Sequence, residues 1–284
     1  MIGEKNLTLV IGGTGKTGRR VADRLRAGGV PIRIGTRSSE PPFDWLDRST
    51  WAPPVQGVMS AYVTYYSDLA FKGAADDVRA FAEVAVANGV QHLVLLSGRN
   101  EPGAVLGEQA IQESGADWTI VRSSFFAQDF SEYFLLEDVL NGEVAFPAGD
   151  TAEPFIDVED IADIAAAALT DDRHKNHLYE VTGPRLLTFA DAVAEISKAT
   201  GREIRYVPIS ADEYASALAA SGMPPEQVTE FVELFTMILD GRSQYVADGV
   251  ERALGRAPRD FADFARDAAA AGVWDIRAAS GAST

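Results

Sequence analysis

The sequence predicts an α/β fold, a doubly wound parallel sheet with a smaller, mainly helical C-terminal region on the substrate side. Three observations predict it. Leu7 to Ile11 is a continuous apolar run that ends in glycines. Strand-like and helix-like segments alternate through the first half of the chain. The first strand-to-helix junction carries Gly12, Gly15 and Gly18 at three-residue spacing. An unbroken apolar run is what a strand covered on both faces requires, and alternation with helices joins such strands in parallel.

The elements follow in order. After the glycines, Val21, Ala22 and Leu25 recur at helical spacing, Gly28-Gly29 stop the helix, and Pro31 to Thr36 gives a second strand. This β-turn-α-β unit of about thirty residues has the size of a mononucleotide-binding half, so the sheet is expected to be Rossmann-like. Val58 to Thr64 continues as a strand, Leu69 to Asn88 as a helix, His92 to Leu96 as a strand, Val105 to Ser114 as a helix and Trp118 to Val121 as a strand. From Ser123 the pattern loosens into an aromatic stretch. Ile161 to Leu169 is an alanine-rich helix introduced by the acids Asp157 and Asp160, and His177 to Thr182 is a strand. Helices are expected at Phe189 to Ala199, Ala211 to Ala220, Pro225 to Leu239 and Pro258 to Ala271. The predicted dinucleotide-binding core is therefore 1–122 with 142–182 returning to it. Residues 123–141 and 183–284 form the expected cap region.

Composition narrows the function classes. A formal net charge of −17 over 284 residues argues against nucleic acid or an anionic membrane as partner, since polyanions are met by clustered Lys and Arg. The absence of cysteine removes disulfides, thiolate chemistry and Cys-ligated zinc. Met1 to Leu9 shows no basic stretch leading into an apolar run, and no apolar segment approaches the ~20 residues that span a bilayer, so a cytoplasmic location is the expectation. The expected partner is a small molecule.

The glycine turn carries the first chemistry. The first glycine permits a tight turn, another lets the backbone approach a pyrophosphate, and the last lets helix and strand pack closely. Gly15-Lys16-Thr17 also matches the end of a Walker A loop, but Val10 stands where that motif needs its first glycine. At the end of the second strand the chain has Thr36-Arg37-Ser38 and no acid until Glu40. A guanidinium beside a hydroxyl suits the 2′-phosphate of NADP(H) rather than the ribose hydroxyl of NAD. Arg33 and Lys16 are expected to add to the same positive patch.

GGTGKTG, TRSS, LVLLSG, ESGADWTIVRSSFFAQDF and FIDVEDIADIAAAAL together resemble the NmrA-like, atypical short-chain dehydrogenase/reductase family. The segment from Gly12 to Trp51 is similar to the ergot-alkaloid-type reductases within it, the festuclavine and agroclavine dehydrogenases. The resemblance implies an NADP(H) site. Gly12, Thr14, Gly15, Lys16 and Thr17 would grip the pyrophosphate, with Gly18 closing the turn; Arg37 and Ser38 would hold the 2′-phosphate, and Asp44 with Trp45 would lie near the adenine. Tyr65, Ser97 and Gly98 would approach the nicotinamide, and Ser123 to Phe130 would close over it. Arg122-Ser123 replaces the family's usual Arg-Pro, and Gln128-Asp129 its usual Glu-Asn.

Typical short-chain dehydrogenases protonate a carbonyl with a Tyr-x-x-x-Lys pair. Between Ser97 and Ser114 this chain has neither tyrosine nor lysine, which leaves Ser97 as the candidate catalytic hydroxyl. Hydride transfer to an iminium or a quinone does not need that pair, because the acceptor is already activated. Tyr65, Phe125, Phe126, Phe130 and Tyr133 would wall the substrate pocket, with packing in a core as the competing role for each. His174 and His177 have HxxH spacing but no third ligand, and Asp157 to Asp160 reads as a helix start, so no metal is expected. The expected function is an NADP(H)-dependent reductase of an activated imine, iminium or quinone; the alternative is a non-catalytic NADP(H)-binding redox sensor of a protein partner.

Overall fold

A computed structural model describes residues 7–275. The described residues divide into two compact units, 7–123 with 158–181 and 247–256, and 124–157 with 182–246 and 257–275.

The first unit is the parallel sheet and its helices. In chain order it holds β1 (Thr8–Ile11), α1 (Lys16–Ala27), β2 (Ile32–Gly35), α2 (Ala52–Val55), β3 (Ser60–Val63), α3 (Ala74–Ala87), β4 (His92–Gly98), α4 (Pro102–Gln112) and β5 (Asp117–Ser123). After the second unit's first segment it continues with α7 (Val158–Thr170), β8 (His177–Val181) and α11 (Gly249–Leu254). The six strands run in the order β2-β1-β3-β4-β5-β8, all parallel. Alternate residues serve opposite faces. Leu9, Ile11, Ala61, Val63, Leu93, Leu95 and Ile120 join the core that Val78, Phe81, Ala82 and Ile111 of α3 and α4 complete. Val10, Val94 and Val121 are buried on the alternate positions, and α1 and α7, which pack together, bury Val21, Leu25, Ile161 and Ile164. Coverage of both faces explains why β1 is buried at every position, with Thr8, its one polar residue, hydrogen-bonded to the Ser60 hydroxyl at 2.9 Å.

The second unit holds α5 (Asp129–Glu132), α6 (Leu136–Asn141), β6 (Glu143–Phe146), β7 (Ala152–Glu153), β9 (Leu187–Thr188), α8 (Phe189–Thr200), β10 (Arg205–Pro208), α9 (Ala211–Ala220), α10 (Pro225–Ile238) and α12 (Phe261–Ala270). Phe130, Phe146, Phe155, Phe189, Phe261 and Trp274 form its core, and the Trp274 indole N–H donates to the Phe130 carbonyl at 2.9 Å. Capping boxes at Thr188/Asp191 and Ser210/Glu213 start α8 and α9.

Two boundaries differ from the expectation. Residues 142–157 belong with the second unit rather than the sheet, because β6 pairs in parallel with β10 and β7 antiparallel with β9. Residues 247–256 return to the first unit, where α11 packs on β8 and a Cβ on Gly249 would overlap the Glu180 carbonyl. The helix expected from Leu69 starts at Ala74, after Gly73 at φ +90°.

Candidate functional site

The turn after β1 is confined on three sides by close contact. Gly12 stands at φ +68°, a left-handed conformation that costs glycine nothing, and a Cβ there would meet Thr64 Cγ2 at 2.7 Å. A Cβ on Gly18 would overlap the Gly12 carbonyl, so the start of α1 rests directly on the turn. The Gly15 amide donates to the Gly12 carbonyl at 2.8 Å. Gly15 is the residue that caps α1, and it supplies no side-chain acceptor; the first turn of α1 also contains no acid. A helix start of this kind presents amides and a positive dipole end that an anion satisfies. Thr14 and Gly15 are exposed and Lys16 is half-buried. Thr17 is buried beneath the turn, where its side chain faces the fully buried Tyr62 hydroxyl, which makes no hydrogen bond of normal geometry. Burial pushes the Tyr62 phenol well above its ordinary pKa. The donor set and the cleared backbone fit a dinucleotide diphosphate.

At the end of β2, Arg37 and Ser38 are both exposed, and Arg37 makes no hydrogen bond or ion pair among the described residues. Ser38 Oγ lies 3.4 Å from Thr36 Oγ1. The loop is built by its neighbour Ser39, whose hydroxyl donates to the Thr36 and Pro41 carbonyls at 2.8 and 2.9 Å. Arg33 does not join this positive patch: its guanidinium donates to the Pro54 and Gln56 carbonyls, both at 2.7 Å. Asp44 shapes the following turn, accepting the Leu46 amide at 3.0 Å through its carboxylate and the Trp51 indole at 2.7 Å through its carbonyl. Trp45 packs among Phe43, Trp51, Tyr65 and Phe81, and its indole donates to the Thr64 carbonyl at 3.0 Å. The Trp45 indole therefore ties this loop to the end of β3, against which Gly12 packs.

Tyr65, just past β3, donates its hydroxyl to Asp77 of α3 at 2.9 Å. Burial, with the Asp77 carboxylate second, holds its pKa far above the ordinary phenol value. Its proton is thus committed to α3.

Ser97, Arg122 and Glu180 are paired neighbours across the carboxyl ends of β4, β5 and β8. Glu108 of α4 completes the row. It accepts the Ser97 hydroxyl at 2.7 Å and a two-point ion pair from Arg122 at 2.8 and 2.5 Å. Arg99 Nε lies 3.1 Å from Glu180, and both arginines reach that carboxylate. Ser97 is buried and its proton is committed to Glu108. Next to it, a Cβ on Gly98 would overlap both oxygens of the Glu101 carboxyl. Sequence reasoning missed Glu101, Glu108 and Glu180. The available signal was two acids, Glu101 and Glu108, seven residues apart at the start and on the inner face of a helix with no other charged residue.

The aromatic candidates of the second unit separate into core and surface. Phe130 is completely enclosed by Phe155, Phe189 and Phe261, which leaves none of its surface to wall a pocket. Phe125 is half-buried amid Phe134, Phe146, Phe155, Phe189 and Phe235. Phe126 is half-buried and bridges Ile156, whereas Tyr133 is exposed. Gln128 donates to Asp157 at 2.7 Å.

The remaining polar motifs are structural. Glu159 and Asp160 lie in the first turn of α7, as the sequence predicts; Glu159 pairs with Arg20 and Arg24 at 2.5 and 2.6 Å, and Asp160 with Arg256 at 2.7 Å. His174 Nδ1 sits 2.9 Å from the Tyr179 hydroxyl and His177 Nδ1 2.7 Å from the Lys175 carbonyl. No group of acids and histidines among the described residues has the arrangement to hold a metal. No described helix is long and apolar enough to cross a membrane.

Comparison with known proteins follows the same lines. The sequence profile of the NmrA-like family matches residues 105–264, more than half the chain. The NAD(P)H azoreductase of Xenophilus azovorans is 32% identical, over 93% of this chain and 99% of that protein. The agroclavine dehydrogenase of Claviceps fusiformis is 30% identical, over 91% and 96%. The fold superposes on the NADPH complex of the Escherichia coli NADPH-dependent quinone oxidoreductase QOR2 with a TM-score of 0.76 at 20% identity, covering 92% and 99% of the two chains. The profile match over more than half of its length shows that the chain belongs to the NmrA-like family.

Proposed function

We propose that this protein is an NADP(H)-dependent reductase of the atypical short-chain dehydrogenase/reductase type, acting on an electron-poor small molecule. The observation that carries the reading is the acid-free start of α1, without a side-chain cap, behind a glycine turn, with the Arg37 guanidinium, unpartnered among the described residues, just past β2. In an order in which β1 lies between β2 and β3, a dinucleotide crosses the carboxyl ends of the strands with its diphosphate at the first turn. Gly12, Thr14, Gly15 and Lys16 hold the diphosphate, Arg37 and Ser38 the 2′-phosphate, and the nicotinamide half lies toward β3 and β4, near Tyr65 and Gly98. Bound NADPH supplies a hydride.

The contribution of Tyr65 and Ser97 is orientation. Tyr65 and Ser97, whose protons are held by Asp77 and Glu108, shape the site without donating to a carbonyl. That favours acceptors that are already activated, quinones, azo compounds or iminium ions, and the name of the azoreductase relative supports the choice. Of the aromatic residues expected to line the substrate, Tyr65, Phe125, Phe126 and Tyr133 keep accessible surface.

Incubating the purified protein with NADPH and a panel of quinones, azo dyes, iminium salts and simple ketones tests the proposal. NADPH oxidation with the activated acceptors and none with ketones supports it. Tight NADPH binding without turnover of any acceptor replaces it with the redox-sensor reading.

A further inference from the structure

The Glu101 carboxyl occupies an unusual position for a charged group. It lies against the Cα of Gly98 at the carboxyl end of β4, where a Cβ would overlap both of its oxygens. Glu101 opens α4 but does not cap it, and no described residue hydrogen-bonds its carboxyl. Its charged surroundings are acidic. Asp68 faces it from the loop after β3, and Glu108 faces it from α4. The nearest cation on β5, Arg122, is spent on Glu108, and Arg79 of α3 pairs with Glu113 at the far end of α4. The side chain is half-buried, so it keeps a path to water.

We propose that Glu101 is the proton donor of this site and that the acceptor it serves is a neutral quinone rather than an iminium ion. The inference rests on the reductase reading above and specifies its substrate class. Burial first, then the Asp68 and Glu108 carboxylates, keep the Glu101 proton on well above the usual carboxylate range. A carboxyl held neutral beside an ion-paired one is the arrangement in which one acid of a pair retains a transferable proton. Reduction of a quinone by hydride makes one O–H bond and leaves the second oxygen anionic. The Glu101 O–H bond then breaks, its proton forms the second O–H bond of the hydroquinone, and the carboxylate left behind regains a proton from water. An iminium carbon accepts hydride with no proton to follow and has no use for the group.

Infrared titration of the nucleotide-free protein, calorimetry with NADPH and quinone kinetics on the same preparations test it together. Above the pH at which ordinary carboxyls have ionised, the wild type should still show the carbonyl stretch of a protonated carboxylic acid, absent from Glu101→Gln. Glu101→Gln should reduce quinones roughly a hundredfold or more slowly while binding NADPH as before. The wild-type rate should fall as pH rises through the Glu101 pKa, and the variant should lack that limb. Asp68→Asn removes one neighbouring charge without touching Glu101, keeps an acceptor for the Ala70 amide, and should move both the band and the fall in rate to lower pH. An unchanged band in Glu101→Gln, or an unchanged quinone rate and profile with NADPH bound, overturns the inference alone. If Glu101→Gln does not fold, an Asp68→Asn profile identical to wild type overturns it. Failure of the wild type to bind NADPH overturns the underlying reading, and the inference with it.

Discussion

The α-carbon of Gly18 rests against the carbonyl oxygen of Gly12, so a side chain at Gly18 would overlap backbone that nothing flexible can relieve. Gly18→Ala should therefore displace α1 from the turn, lower stability by about 1–3 kcal/mol and weaken dinucleotide binding. At Gly15 a Cβ would stand 3.2 Å from the same oxygen, so Gly15→Val should fold nearly as well and lose binding by filling the approach to the phosphates. Thermal melts beside nucleotide titration separate the two. A Gly18→Ala protein that melts and binds like wild type would show that the contact is slack.

Removing Glu108 takes from Arg122 its two-point carboxylate partner and from the Ser97 hydroxyl its acceptor. Glu108→Ala should cost about 3–5 kcal/mol in denaturant unfolding, because a buried ion pair is broken on one side. A loss under about 1 kcal/mol would mean that the row across β4, β5 and β8 is solvated and weak.

His92 is buried at the start of β4, with Nε2 2.9 Å from Thr119 Oγ1, which itself donates to the His174 carbonyl at 2.7 Å. His92 therefore donates through Nε2. Burial, with Lys175 second, lowers its pKa to about 4 from 6.5. A depressed histidine favours the neutral folded form, so the stability it contributes is complete above pH 6.5 and drains away as pH falls toward 4. The loss over that window is on the order of 3 kcal/mol. Urea midpoints between pH 7 and 4 should fall more steeply for the wild type than for His92→Gln, which keeps a donor for Thr119. Parallel curves would remove His92 from the acid response.

Phe130 belongs to the core of the second unit. Phe130→Ala should cost about 3–5 kcal/mol and leave NADPH affinity unchanged. Unaltered stability with a raised quinone KM would return it to the pocket wall.

The nucleotide half was legible in sequence because its signals are local. Leu7 to Ile11, the three glycines and Arg37 lie within about thirty residues, and each element's period or spacing is set by its own backbone. Glu108 and Glu180 were not legible, because their roles depend on the register that aligns Ser97, Arg122 and Glu180 across three strands. Phe130 could not be told from a pocket residue, since a ring in a core and a ring lining a ligand leave the same letter. β6 and β10, four residues each, are too short for alternation to register and pair across a long separation. That pairing moved 142–157 to the second unit.

Calorimetric titration of NADPH and NADH into wild-type protein and Arg37→Ala tests the central claim most directly. The wild type should bind NADPH more tightly than NADH, and Arg37→Ala should lose about 10- to 100-fold in NADPH affinity with little change for NADH. No heat with either nucleotide, or equal losses for both in the variant, would contradict the account.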